Sequence, residues 1–169
     1  MKKILSLIIA AVAVIAVGAQ VNITRTGKVQ PTDEIFMDMA TTVATTAVAQ
    51  GNVPCGAVII YNGAFKSTGM ASDSLTAEQE ALVASRRTTL STASIYTVNQ
   101  PTTAAVTSMR RAKIAKVYYV NDAEAVIAAG LYTAADYTPA EETDSTATPL
   151  PSIQLIKMDY KPASDLLKK

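Results

Sequence analysis

Apolar and polar positions change period several times along this chain, and each change marks an element. An unbroken apolar run from Ile4 to Val17 comes first and gives way to a polar lead. From Pro31, PTDEIFMDMATTVATTAVAQG sets Ile35, Met39, Val43 and Ala47 at helical spacing. Thr32 stands as N-cap, Asp33 and Glu34 occupy the first turn and Gly51 ends the pattern, which predicts a first helix buried along that apolar face. CGAVIIYNGAFKSTGM reads as an apolar strand, a turn at Asn62 and Gly63, and a returning strand, a hairpin. In TAEQEALVASRRTTL, Thr76 and Gln79 have capping-box spacing and Ala77, Ala81 and Ala84 recur as in a second helix. A short strand follows in ASIYTV, a third helix capped by Thr102 or Thr103 in TTAAVTSMRRAKI, a buried strand in AKVYYVND and a fourth helix in DAEAVIAAGLY. SIQLIKMDY supplies a last strand and KPASDLLKK a short terminal helix.

Strands that alternate with helices imply parallel pairing with both sheet faces covered. The expected fold is therefore α/β: a three-layer α/β/α sandwich with a mixed five-stranded sheet, its first two strands antiparallel and the later ones parallel. Residues 20–169 are expected to form a single domain. Within it, residues 138–151 are rich in Thr, Glu, Ser, Ala and Pro, and predict a flexible surface loop.

The basic start at Lys2 and Lys3, the apolar run and the small residues Gly18 and Ala19 have the layout of a secretory signal peptide over residues 1–19. The run is shorter than the roughly 20 apolar residues that span a bilayer, and an uncleaved anchor is the alternative reading. The expected location is secreted, periplasmic or cell-surface, with no membrane attachment after cleavage. Cleavage takes two of the 15 basic side chains and leaves the 14 acidic ones, a formal balance of −1 that attracts neither nucleic acid nor anionic lipid. The cluster Arg86, Arg87, Arg110, Arg111, Lys113 and Lys116 has no interleaved aromatics, so a single-strand-binding platform is not implied; positive charge late in the third helix suits its dipole. Asn22, Ile23 and Thr24 form a glycosylation triplet of little weight. The chain has one cysteine, Cys55, between VP and GAVII, which reads as a small buried apolar side chain.

The order of elements resembles the cytidine-deaminase-like superfamily, especially its guanine and tRNA-adenosine deaminase branch. VPCGAVIIYNGAF is similar to the first hairpin of that family, TAEQEALVA stands where it writes T-A-H-A-E, and SIYTVNQPTTAAVTSMRRAKIAKVYYVND stands where it writes T-L-Y-x-T-x-E-P-C-x-x-C, a helix and a V-Y-Y strand. In such enzymes a histidine and two cysteines hold a zinc ion that activates water, and a glutamate shuttles the proton. The resemblance puts Glu78 at the histidine position, Thr102 and Ala105 at the cysteine positions, Glu80 at the glutamate and Pro101 at the proline. Gln100 replaces the family's Glu before that proline, and Ala71 replaces an Asn that holds the base.

The chain contains no histidine at all. Cys55 being the lone thiol, no rearrangement rebuilds a His/Cys zinc site. Zinc lowers the pKa of bound water from about 15.7 to about 7, and giving up those roughly eight pKa units costs on the order of 12 kcal/mol. A remnant Glu80 cannot replace it, since general acid–base help is typically worth about 3–5 kcal/mol. No cofactor and no metal are expected. Glu78, Glu80 and Thr102 could instead gather oxygens for Mg²⁺ or Ca²⁺, although carboxylates two apart on a helix diverge.

From Asp38 to Lys66 there is no charged side chain between the two, and Thr41, Thr42, Thr45 and Gln50 are expected on the outer face of the first helix. Such a face is poorly suited to staying solitary in water. The sequence thus points to an exported, catalytically inactive deaminase-like protein acting as a structural or self-assembling subunit, its partner another copy of itself. The alternatives are an extracellular module binding a nucleobase-like small molecule near Glu80 and Thr102, and an active deaminase with an unusual metal.

Overall fold

The computed structural model describes residues 21–24, 30–138 and 150–168. The expected signal peptide, and residues 139–149 of the loop expected over 138–151, lie outside the described residues. Among the described residues six strands form one sheet in the order β1-β6-β5-β4-β2-β3. The hairpin is β2 (Gly56–Tyr61) and β3 (Ala64–Met70), and the strands after it are β4 (Ala93–Asn99), β5 (Lys116–Asn121) and β6 (Ile153–Lys157). β2 runs antiparallel to β3 and β4, and β4, β5 and β6 are mutually parallel. The five expected strands are thus present with the expected directions. A sixth, β1 (Val21–Thr24), adds a parallel edge beside β6.

Five helices accompany the sheet: α1 (Pro31–Ala49), α2 (Ala77–Ser85), α3 (Thr103–Arg111), α4 (Ala123–Ala128) and α5 (Lys161–Ser164). Because side chains alternate along a strand, neighbouring strand residues feed opposite faces. Ala57, Ile59, Ile95, Val117 and Tyr119 pack with Ala77 and Ala81 of α2 and Ala105 and Met109 of α3. Val58, Ile60, Tyr96, Val98 and Val120 pack with Met37, Ala40 and Ala44 of α1 and Ala163 of α5. This is the three-layer sandwich. Among the described residues no helix is long and apolar enough to cross a membrane.

Local chemistry explains the element ends. Asn62 and Gly63 both take positive φ, 51° and 75°, as the tight hairpin turn requires. Thr76 accepts from the amide of Gln79 while the Gln79 side chain accepts from the amide of Thr76. Thr102, not Thr103, caps α3.

Helix α1 departs from expectation in two ways. Its N-cap is Gln30, not Thr32: Asp33 reaches back to the amide of Gln30 at 2.8 Å, and Pro31 occupies the first turn, where its missing N–H is harmless. Its buried stripe is Asp33, Met37, Ala40, Thr41, Ala44 and Ala47, whereas Ile35 is 61% exposed. The reason is close approach. A Cβ on Gly56 would lie 2.5 Å from the Ala40 carbonyl oxygen and the Ala44 amide nitrogen, so α1 rests its backbone on β2 and only alanines fit between them.

Candidate functional site

The expected site positions lie where the C-terminal ends of β4 and β5 meet the N-terminal ends of α2 and α3, the edge at which open α/β sheets bind ligands. Glu78, in the first turn of α2, is 5% exposed. Its Oε1 accepts a 2.5 Å hydrogen bond from the hydroxyl of Thr97 on β4. The Thr102 hydroxyl accepts from the backbone amide of Ala105 at 3.2 Å. The two positions that the resemblance matches to cysteines are therefore bonded to each other as a helix cap, and the Ala105 side chain is fully buried and offers no donor atom.

Cys55 joins this cluster from the residue before β2. The Asn99 side-chain amide donates to its Sγ at 3.2 Å and to the Pro54 carbonyl at 3.1 Å, and the Tyr132 hydroxyl lies 3.9 Å from the same sulfur. Burial, and then the charge of Glu78, push the Cys55 thiol up to about 11. Asn121 at the end of β5 donates to Asn99 Oδ1 at 3.0 Å. Tyr137 donates to the Gln100 carbonyl at 3.1 Å and meets Tyr132 edge-on, with ring centroids 6.4 Å apart. Burial raises the pKa of both tyrosines, Glu78 adding to it. Gln100 Oε1 accepts from the amide of Ala123 and so ties this edge to α4.

Chemically, the cluster is closed on itself. Among the described residues no buried side-chain nitrogen or oxygen lacks a partner, and no three His, Cys, Asp or Glu side chains are grouped to hold a metal. The donor set does not fit zinc: one carboxylate engaged by Thr97, one hydroxyl engaged by a helix amide, and a methyl group. No catalytic step through a metal follows from these residues.

Glu80 belongs elsewhere. Its Oε1 accepts from the Ser72 hydroxyl at 2.7 Å, and its side chain lines a groove of about 410 Å³ between α1, β3 and α2, with Thr42, Val43, Thr46, Thr68 and Met70 among the walls. Thr102 is not part of that groove, so the structure does not bring Glu80 and Thr102 into one pocket. Nor does it converge Glu78 and Glu80 on a cation.

Of the residues expected on the outer face of α1, Thr42, Thr45 and Gln50 are exposed, but Thr41 is buried, 7% exposed. Its hydroxyl bonds the Met37 carbonyl at 2.8 Å, which satisfies it inside the sheet contact. Thr45 and Thr46 likewise donate to the carbonyls of Thr41 and Thr42 at 2.9 Å. Hydroxyls turned back onto the helix leave methyl groups outermost. The basic cluster also divides: Arg110 is buried and donates to the carbonyls of Pro151 and Leu150, and Arg87 stacks on the Tyr61 ring at 4.6 Å.

The sequence pattern singles out Glu78, Thr102 and Ala105; around Glu78 and Cys55 the structure adds Thr97, Asn99, Tyr132 and Tyr137, which the pattern does not single out. The signal in the sequence is that Asn99 and Asn121 each follow a valine at the end of a mostly apolar strand.

Neither a protein-family model nor a curated protein matches the sequence. Solved structures do. A guanine deaminase from Nitrosomonas europaea superposes with TM-score 0.66 at 14% identity, covering 88% of each chain. The fold is that of the cytidine-deaminase-like proteins. A guanine deaminase from Bacillus subtilis gives TM-score 0.57 at 24% identity over 71% of this chain and 84% of its own. A transfer-RNA deaminase of A-to-I editing at the wobble position gives 0.58 at 18% identity, over 78% and 98%.

Proposed function

We propose that this chain is an exported, catalytically inactive deaminase-fold protein that serves as a structural, self-associating subunit. One observation supports the loss of catalysis: the positions that the resemblance matches to metal ligands are engaged within the protein itself, Glu78 with Thr97 and Thr102 with the amide of Ala105. The glutamate that such chemistry needs is bonded to Ser72 and faces another groove. The neighbours in structure are deaminases, so the direct test is their reaction. Purified mature protein is assayed for ammonia release from guanine, adenosine and cytidine after loading with zinc, with bound metal measured by mass spectrometry. Background rates and less than about a tenth of an equivalent of zinc are expected. Ammonia release that scales with protein would overturn the reading.

The self-association part is supported by the α1 surface. Thr42, Thr45 and Gln50 are exposed beside Ile35 and Val48, with no charge between Asp38 and Lys66 to resist contact. Light scattering on the mature protein is expected to give a multiple of the monomer mass, and Thr45→Lys to lower it. A monomer at millimolar concentration would remove this part and leave the first standing. Export is supported by the sequence of residues 1–19, and N-terminal sequencing of protein recovered outside the cytoplasm checks it.

A further inference from the structure

The groove beside Glu80 lies outside the cluster that took over the metal positions, and its chemistry is one-sided. Glu80 is its one acidic side chain, and no lysine or arginine lines it. Among the described residues the salt bridges are Lys157 with Asp122, and Lys161 and Lys168 with Asp165, none of which involves Glu80. The hydroxyl proton of Thr46 is already given to the Thr42 carbonyl, so towards any other group this oxygen acts only as an acceptor. The walls beside these acceptors are apolar: Val43, Met70 and Ala84.

Among the described residues the groove also follows a strand edge with no further strand beside it. β3 is the last strand of the sheet and pairs on one side, with β2. Thr68, Gly69 and Met70 line the groove, so main-chain groups without a sheet partner are available on its floor. Towards the hairpin the edge is less usable, because the register shifts between Ile59 and Ile60 and Lys66 stands at that irregularity. Only a short contact fits.

We infer that this groove binds an ammonium group carried on a short apolar stem, with Glu80 as its counter-charge and Val43, Met70 and Ala84 around the stem. Free aliphatic amines and a lysine side chain on an extended peptide share this chemistry. The position of Glu80 is fixed in advance by its hydrogen bond to Ser72, which is itself held in a turn with Leu75. A preset acceptor loses little freedom on binding. The groove shares Thr42 with the face proposed for self-association, so the titration is run at a concentration where light scattering gives the monomer mass.

The test is an NMR titration of ¹⁵N-labelled mature protein with n-butylammonium chloride, with the tripeptide amide acetyl-Val-Lys-Val, and with 1-butanol as the neutral control. Saturable shifts are expected at Thr46, Thr68, Gly69 and Glu80 with both cations and not with butanol. Glu80→Gln, which keeps a Ser72 acceptor, is expected to weaken both at least tenfold. Thr46→Lys, at an exposed helical position, places an ammonium beside the groove and is expected to abolish them. A tripeptide that binds tenfold tighter than the free amine identifies the peptide source, and equal binding the free amine. Absence of saturable shifts with either cation, an equal response to butanol, or an unchanged Glu80→Gln variant would overturn the inference.

Discussion

Cys55 shows how one residue records the chemistry of its surroundings. A thiol becomes reactive through its thiolate, which positive neighbours favour. Here the neighbours are a buried sheet end and the carboxylate of Glu78, and the thiol is held at about 11 against an ordinary 9.0. Iodoacetamide at pH 7.5 is therefore expected to leave native Cys55 unlabelled while modifying it fully in 8 M urea. Rapid labelling of the folded protein would show that the cluster opens. The same shift has a stability consequence. The unfolded chain releases this proton near 9.0 and the folded chain near 11, so the folded state holds more proton between those values. The stabilisation is complete below pH 9 and is lost as pH rises through 11, by about 3 kcal/mol at about 1.36 kcal/mol per pKa unit. Tyr132 and Tyr137, raised in the same cluster, carry the decline further. Urea midpoints at pH 8 and pH 10.5 measure it, and Cys55→Ala should show the smaller drop between them.

Among the elements, two glycines decide how closely helices approach the sheet. A Cβ on Gly69 would meet the Ala77 carbonyl oxygen at 2.1 Å and the Ala81 amide nitrogen at 2.3 Å; the corresponding contacts at Gly56 are with α1. Both obstacles are backbone, which cannot rotate aside. Overpacking of this kind typically costs about 1–3 kcal/mol and sometimes more. Gly56→Ala and Gly69→Ala are each expected to cost at least about 3 kcal/mol by urea unfolding, because a whole helix has to shift. A loss below about 1 kcal/mol would mean that the helices ride higher than described. This packing also explains what the sequence made legible. Capping by Thr76 and Gln79 and the Asn62–Gly63 turn were readable because each is complete within a few residues. The inward face of α1 is not legible from residue size, which favours Ile35 for the core, because the close contact on Gly56 selects Ala40 and Ala44. β1 was passed over because what orders it, its pairing with β6, lies at the other end of the chain.

At the scale of the whole molecule, the fold is that of solved deaminases, and the proposal is that this chain keeps the frame of their metal site without its donors. The likeness to that frame was legible because the segment from Ser94 to Asp122 resembles the family pattern without a gap. What occupies it was not, since Thr97, Cys55, Asn99 and Tyr132 come together from separate parts of the chain. If the frame is intact, restoring the donors should restore the metal. Glu78→His, Thr102→Cys and Ala105→Cys together strip Thr97 of its partner, at about 1–3 kcal/mol for a buried unsatisfied group, and remove the α3 cap, at about 1 kcal/mol. The apo triple variant is therefore expected to melt below the parent protein. Structural zinc in small domains contributes about 10–16 kcal/mol at neutral pH, far more than that deficit. One equivalent of zinc should thus raise the melting temperature above that of the apo variant, and a chelator should reverse it. Ammonia release from guanine should nonetheless stay at background while Ser72 holds Glu80. A folded triple variant that takes up no zinc would show that Glu78, Thr102 and Ala105 do not converge as the deaminase frame requires.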